Sequence, residues 1–388
     1  MSIGVTSTPE LAREVEAKAK AKADLPSGVA IAPVPEFATS PATPCDSTEL
    51  LTWMGWMTAG PPTLAAEVLR SAGRWAWVRY RWALEDERGI VRPTADARSI
   101  RQHTRSLFSE TVGVGAAGYL GCTRLVPTGS LAVVNLDDTI DPLLTAGVIR
   151  WRFGTKKKHP DYLIVRGAYR GPMELLAIEC KGTVLNQKTA ISQLAAGAKQ
   201  VIGIESSLPM RSVVFATTMA LDEKEPVVRS YAIEVTVEGR SGGEPSTAAR
   251  EAIRNAALIR ALRCAGLYAA AERTRAGYVA DWPQPHESFQ IGGRPMVGDE
   301  AQVVSGESRL RAEVGVDLNL LQALAAPRPE RAVRLEQLAA EIPAQDEFRR
   351  RPIDTPERVE EEVRMRDGLG IRFERQGQLP REELAGEG

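Results

Sequence analysis

Histidine is nearly missing from this chain: three in 388 residues, too few for a histidine-rich metal centre. Cysteine is almost as scarce. Cys45, Cys122, Cys180 and Cys264 lie far apart and form no CxxC pair. That spacing excludes a zinc-finger arrangement and a disulfide framework, and it fits a reducing compartment. No apolar run approaches the roughly 20 residues needed to cross a bilayer, so no membrane association is expected. The N-terminus lacks the charged-then-apolar order of a secretory signal, and the expected location is the cytoplasm. An excess of charge is missing too: 49 Lys and Arg stand against 50 Asp and Glu, a formal net charge of −1. Affinity for a polyanion must therefore come from a local basic patch. No phosphate-cradling Gly-rich loop is present, hence no built-in ATPase, and there is no internal repeat.

What is present is a globular composition, 43% hydrophobic and 26% charged, long enough for one large domain or two ordinary ones. Residues 1–47 carry an Ala/Lys/Glu-rich piece, Leu11 to Ala23, then a Pro/Ala/Ser/Thr-rich stretch through Pro44. They read as a mobile N-terminal arm and linker. Residues 48–98 hold five of the seven tryptophans, Trp53, Trp56, Trp75, Trp77 and Trp82, with Arg74, Arg79 and Arg81 among them. Mixed spacing favours a helical region with tryptophans in its core; a stacking platform for bases is the functional alternative. Gly239 to Pro245 reads as a linker. Residues 246–388 read as a helical C-terminal region: Ala-rich over 246–281, a Pro/Gly loop from Trp282 to Pro295, helices near 329–341 and 355–367, and a frayed tail.

The centre of the chain carries the chemistry. His159-Pro160-Asp161-Tyr162-Leu163-Ile164-Val165 and Leu175-Leu176-Ala177-Ile178-Glu179-Cys180-Lys181-Gly182 are two apolar strands. Gly167, Gly171 and Pro172 between them make the pair a β-hairpin. Alternation along a strand puts Glu179 and Lys181 on one face, with Ile178 and Cys180 on the other. The hairpin folds Asp161 back beside Glu179. Two carboxylates and one ammonium then meet at a sheet edge, a set suited to a divalent cation and a phosphodiester. Arg150, Arg152, Lys156, Lys157 and Lys158 lead straight into Pro160-Asp161, and beside such a site they read as backbone-phosphate contacts. The Cys180 thiol reads as core.

The flanks supply an order of elements. Residues 99–121 have helical spacing through Ile100, Leu107, Phe108, Val112, Ala116 and Leu120, with Glu110 mid-helix and small residues after it. Strands are expected at Thr123–Val126, Leu131–Asn135 and Val148–Phe153. Asp137, Asp138 and Asp141 form a second acidic cluster, with metal ligation as the functional alternative, but adjacent strand residues face opposite sides and Asp-Asp-Thr before Pro142 reads as a turn. After the hairpin come an amphipathic helix, Lys188 to Ile202, and strands at Ser212–Thr217 and Ser230–Val237.

Pro160-Asp161 followed by Glu179-Cys180-Lys181 resembles the PD-(D/E)xK, restriction-endonuclease-like nuclease superfamily, over roughly residues 99–238. The resemblance implies an α/β fold with an αβββαβ core, a mixed sheet flanked by helices, here with additional N- and C-terminal helical regions. It implies Mg²⁺, with Mn²⁺ as a substitute, held by Asp161, Glu179 and the Cys180 carbonyl, with Lys181 orienting water or neutralising charge on phosphate. Glu110 is the candidate for an extra acidic residue from the preceding helix. Some members place a glutamine and a tyrosine four residues apart on the following helix. Here Gln193 is followed at that spacing by Gly197, so only Gln193 is carried over, as a nucleic-acid contact. The implied activity is Mg²⁺-dependent DNA hydrolysis, an endonuclease in restriction or anti-phage defence. The implied partners are DNA, a second copy in a homodimer, and a separate ATPase or helicase. The alternatives are an inactive nuclease-like scaffold or nucleic-acid-binding protein, and an RNA-cleaving enzyme of the same fold.

Overall fold

The computed structural model describes residues 1–23, 25–58, 76, 79–129, 131–152, 158–169, 171–221, 226–237, 243–264, 266–277, 288–305, 308–326, 328–339, 341, 347–353, 355–364 and 369–376. They divide into two compact units: residues 1–58, 79–127 and 131–256, and residues 59–78, 128–130 and 257–388.

The first unit is built in the order β1 (Ser2–Thr6), α1 (Pro9–Ala23), β2 (Val29–Ala32), α2 (Pro35–Ala38), β3 (Ala42–Pro44) and α3 (Ser47–Met57). Next come β4 (Leu84–Glu87), β5 (Ile90–Pro93), α4 (Gln102–Leu120), β6 (Leu131–Asn135), α5 (Leu136–Thr145), β7 (Ile149–Trp151), β8 (Tyr162–Arg166) and β9 (Glu174–Thr183). It closes with α6 (Gln187–Val201), β10 (Ile204–Ser206), β11 (Met210–Thr218), β12 (Arg229–Val237) and the start of α7 (Thr247–Cys264). A mixed sheet runs β3-β1-β12-β11-β9-β8-β6, with β2 also paired to β12. The β1–β12 and β9–β11 pairs are parallel and the others antiparallel. Helices cover this sheet, as expected for an α/β fold.

The hairpin forms where the apolar runs place it, with Tyr162 opposite Ile178 and Arg166 opposite Glu174. Gly167 and Gly171 take φ of +71° and +86°, the left-handed backbone that a side chain resists. On one face, Leu11, Val15 and Ala19 of α1 join Ile191, Leu194 and Ala198 of α6 and Val214, Ala216 and Ile233 of the sheet in a single buried cluster. Each buried Leu, Val or Ile there contributes about 1.5–3 kcal/mol relative to exposure. On the other face α4 lies directly on β9. A Cβ at Gly113 would stand 2.5 Å from the Lys181 carbonyl oxygen, and one at Gly182 would stand 1.7 Å from the Ser109 carbonyl oxygen.

Several expectations are corrected. Residues 1–47 are not a mobile arm: β1 and β3 extend the sheet and α1 packs in its core, because Ile3 and Val5 alternate inward and Leu11, Val15 and Ala19 recur at helical spacing. Ser7 Oγ donates to the Ala232 carbonyl at 2.7 Å and accepts from Val34 N–H at 2.7 Å, tying the segment down. Residues 48–98 are only partly helical. α3 buries Trp53 and Trp56, β4 and β5 form a two-stranded hairpin, and Trp82 is exposed. Arg74, Trp75 and Trp77 lie outside the described residues.

The strand expected at 123–126 is a π-helical extension of α4, Gly121–Leu125. Thr123 Oγ1 bonds back to the Tyr119 carbonyl at 2.7 Å, and Arg124 reaches the Glu36 carbonyl at 2.8 Å. The acidic turn at 137–141 is instead helix α5. Leu136, Thr139 and Leu143 are buried on one side, and Asp137 and Asp138 occupy the first turn, where carboxylates complement the helix dipole.

The second unit contains α8 (Tyr268–Arg275), β13 (Ser288–Ile291), β14 (Arg294–Ser305), β15 (Ser308–Asp317), α9 (Leu318–Ala325), α10 (Arg328–Ala339), β16 (Glu347–Ile353), β17 (Thr355–Arg364) and β18 (Leu369–Gln376). Its antiparallel sheet runs β13-β14-β15-β18-β17-β16. This corrects the helical reading of 246–388 in part: helices form within 246–281 and near the one expected at 329–341, but β13–β18 form a sheet and the helix expected at 355–367 is strand β17. Arg349, Arg350 and Arg351 stand opposite Glu362, Glu361 and Glu360 in the β16–β17 register. Among the described residues no helix is long and apolar enough to cross a membrane.

Replacing Gly182 by Ala drives a methyl into the backbone of α4. Gly182→Ala is expected to destabilise by at least about 2 kcal/mol, the cost of overpacking a close contact. Gly4→Ala, with nothing within 4 Å of the added carbon, stays within about 0.5 kcal/mol of the parent. Urea unfolding of both variants checks this.

Candidate active site

The β8–β9 ladder ends at the Tyr162–Ile178 pair. Beyond it the Cys180 N–H has no strand partner on that side, and Asp161 takes it: Oδ2 accepts this hydrogen bond at 2.7 Å. The Asp161 backbone carbonyl in turn accepts from Leu136 N–H at 3.0 Å. The carboxylate is thereby held at the exit of the hairpin. Burial pushes its pKa up, against the opposing pull of the Cys180 bond and the Lys181 charge.

Glu179 is 0% exposed. It projects beneath α6 at Gly197, where an added Cβ would stand 3.0 Å from Glu179 Cγ and 2.5 Å from Val214 Cγ1. The missing side chain at Gly197 makes room for the buried carboxylate. Lys181, on the same strand face, pairs its ammonium with Glu179 Oε1. Glu179 Oε2 has no hydrogen-bond partner among the described residues. Burial, reinforced by the Asp161 charge, pushes the Glu179 carboxyl up to about 8. Burial works against the Lys181 ammonium, but Glu179 and Asp161 outweigh it and hold its pKa above the ordinary value.

Asp161, Glu179 and Lys181 therefore converge. Glu179 Oε2 is buried and unpaired, and Asp161 keeps one oxygen outside the Cys180 bond. Two single carboxylate oxygens fit Mg²⁺, which takes one or two carboxylates and retains water. Among the described residues no group of three or more His, Cys, Asp or Glu side chains is placed to hold a metal ion, so water would complete the shell.

The other expected residues are placed unevenly. The Cys180 thiol is buried, and burial raises its pKa well above the usual range. Glu110 has its Cα close against Gly182 while its side chain is exposed. Gln193 Nε2 donates to the Gly182 carbonyl at 3.1 Å, and its Oε1 is buried without a partner. Arg152 differs from a free phosphate contact: it is largely buried and pairs with Glu205 at 2.9 Å, as Arg150 also does across the β7–β10 ribbon. Lys158 is exposed, and its carbonyl is packed where a Cβ at Gly203 would sit, 1.9 Å away. Lys156 and Lys157 lie outside the described residues.

Two neighbours stand beside the site: the sequence reading gives His159 no role, and it reads Asp137 as a turn residue rather than a metal ligand. His159 Nδ1 lies 2.9 Å from the Pro160 carbonyl, and its Nε2 lies 3.5 Å from Asp137 Oδ1. Both groups act on the charge of Asp161. The available signal was the position of His159 two residues before Asp161; Asp137 is brought there only by β6 and α5. No family model matches the chain, and neither a curated protein nor a solved structure matches it.

The raised Glu179 pKa has a defined consequence. Between an ordinary carboxylate value of about 4.3 and about 8, the folded state holds a proton that the unfolded state has lost. Metal-free stability is then greatest below that window, falls as pH rises through it and levels off above. Thermal unfolding in EDTA from pH 5 to 9 should show this decline. Glu179→Gln should flatten the slope and unfold several degrees higher than the parent at the alkaline end.

Proposed function

We propose that the first unit is a Mg²⁺-dependent nuclease that hydrolyses DNA phosphodiester bonds on a restriction-endonuclease-like core. The observation that carries the reading is the convergence of Asp161, Glu179 and Lys181 at the end of one hairpin, with a buried carboxylate oxygen left unpaired. The strand arrangement supports it. In chain order α4, β6, β8, β9, α6 and β11 follow the αβββαβ pattern. β6, β8 and β9 form an antiparallel meander, and β11 returns parallel to β9. Between β6 and β8 the chain inserts α5 and β7.

In this reading Asp161 and Glu179 hold the cation, with the Cys180 carbonyl as a third donor, and Mn²⁺ substitutes. The bound cation would clamp phosphoryl oxygens and acidify water. The chain's own groups do the rest. The Cys180 N–H fixes the orientation of Asp161. Gly197 and the sheet exclude water from Glu179. Lys181, a compact point charge, turns from Glu179 toward the phosphate, where negative charge grows as the water–phosphorus bond forms and the leaving oxygen departs. Lys158 contacts the backbone on the approach. Glu110 and Gln193 flank the site, Gln193 on Gly182 and Glu110 in solvent. A cytoplasmic role in restriction or anti-phage defence, a homodimer and a separate ATPase or helicase belong to the same proposal.

Cleavage assays with Mg²⁺ on linear, circular and single-stranded DNA and on RNA test it, with metal bound in parallel. Asp161→Ala and Lys181→Ala, folded by circular dichroism, are expected to lose at least about 100-fold in rate, the scale of removing one transition-state-stabilising group. Wild type inert on every substrate would favour a scaffold, and cutting confined to RNA would change the substrate but keep the site.

A further inference from the structure

Neither the core nor the candidate site accounts for the position of Trp82. Trp53 and Trp56 are buried, whereas Trp82 is 47% exposed. Tryptophan has among the largest apolar surfaces of any side chain, so holding half of one in water forgoes the burial that its neighbours obtain. The backbone beneath it is fixed. Thr94 donates its hydroxyl to the Trp82 carbonyl at 2.9 Å and its N–H to the Ala83 carbonyl at 3.0 Å. Two residues earlier, the buried Tyr80 ring packs on Phe108 of α4 with centroids 4.7 Å apart. The indole is thus presented to solvent from an anchored base.

Its surroundings are basic. From Arg79 to Arg105 the chain carries seven arginines against four carboxylates, in a protein whose charges otherwise balance. The short turn Asp96–Ser99 packs against the turn Arg81–Ala83 that bears Trp82, and this brings the exposed Arg98 and Arg101 into its neighbourhood. Arg105 secures that turn to α4: its Nε donates to the Ile100 carbonyl at 2.8 Å, and its guanidinium also reaches the Arg98 carbonyl. The same helix leads to the candidate site. Phe108, on which Tyr80 sits, is followed by Ser109, whose carbonyl lies against Gly182 at the strand end that carries Lys181.

We propose that Trp82, with Arg81, Arg98 and Arg101, is a stacking platform for an unpaired base of a nucleic-acid strand. An aromatic face takes a base of any sequence, and neighbouring guanidinium groups take the phosphates on either side of it. Local positive charge in a chain of net charge −1 selects a polyanion over an ordinary protein surface. Bases in a duplex are stacked on one another and offer only their edges, so the platform calls for a single-stranded segment. The substrate class is then a strand with an unpaired tail or gap, or one wholly single-stranded. Its service to cleavage rests on the nuclease reading; the binding itself needs no metal.

Fluorescence anisotropy with the full chain in EDTA provides the test, using a labelled oligothymidylate, its abasic counterpart and a blunt duplex of equal length. Wild type is expected to bind the oligothymidylate most tightly. Trp82→Ala weakens that binding roughly 5- to 150-fold, the worth of one base stacked on an aromatic ring, and leaves the abasic strand unchanged. Trp82→Phe keeps most of the affinity. Arg98→Ala and Arg101→Ala weaken both single strands, and each lowers the slope of log affinity against log salt by about 0.7. Circular dichroism controls for folding. Trp82→Ala binding like wild type, an equal loss on the abasic strand, a preference for the duplex, or no binding at all would each overturn the platform. Cleavage with Mg²⁺ separates it from the nuclease reading. Trp82-dependent binding with no cutting of any substrate keeps the platform and sinks the nuclease, and cutting by a protein whose binding ignores Trp82 does the reverse.

Discussion

The backbones of α4 and β9 meet with no side chain between them, and the candidate site depends on that contact. Gly113 and Gly182 supply it from opposite partners, one on the helix and one on the strand. Any side chain at either position would lift the helix from the sheet just where Lys181 begins. The strand end is therefore held rigid on one face by α4, while α6 covers the other. Between these two helices the residues 179–182 have little freedom, and an arrangement of charges that would otherwise relax is kept in place.

That rigidity explains how a carboxylate survives with no exposure. Glu179 gains one ammonium and loses its water, an exchange in which desolvation outweighs a single pairing. The surrounding apolar cluster, from α1 and α6 to β11 and β12, supplies the stability that tolerates it. Buried, unpaired acceptors are rare in folded proteins. One lying beside a second carboxylate, at the open end of a hairpin, marks a place where the chain forgoes stability.

Legibility in the sequence followed the range of the interactions. The hairpin, its turn glycines, the shared face of Glu179 and Lys181, and helix α6 rest on contacts between near neighbours, and local patterns carry those. The partners of β1 are distant, so Ile3 and Val5 could not announce a strand, and Leu11, Val15 and Ala19 looked sparse among lysines and glutamates. In β17 the residues between Thr355 and Arg364 favour helix by themselves, and the strand is set by backbone pairing with β16 and β18, which lie outside the local pattern. The depth of Glu179 was equally hidden: alternation assigns a face, but the space above that face is made by Gly197, where a motif had led one to look for a tyrosine.

The placement of β1 bears on how the chain acquires its fold. Ser7 is bonded to Ala232 across a sequence separation of 225 residues, and β1 inserts between β3 and β12 rather than lying on a margin. During synthesis β3 becomes available to this strand soon after it, but the edge that pairs with β12 stays open until nearly the whole first unit has been made. That edge is an invitation to wrong partners throughout the interval. The last seam of the sheet thus closes only after β12 is available, so the first unit reaches its native topology late and as a whole, with a slow search for its most distant pairing.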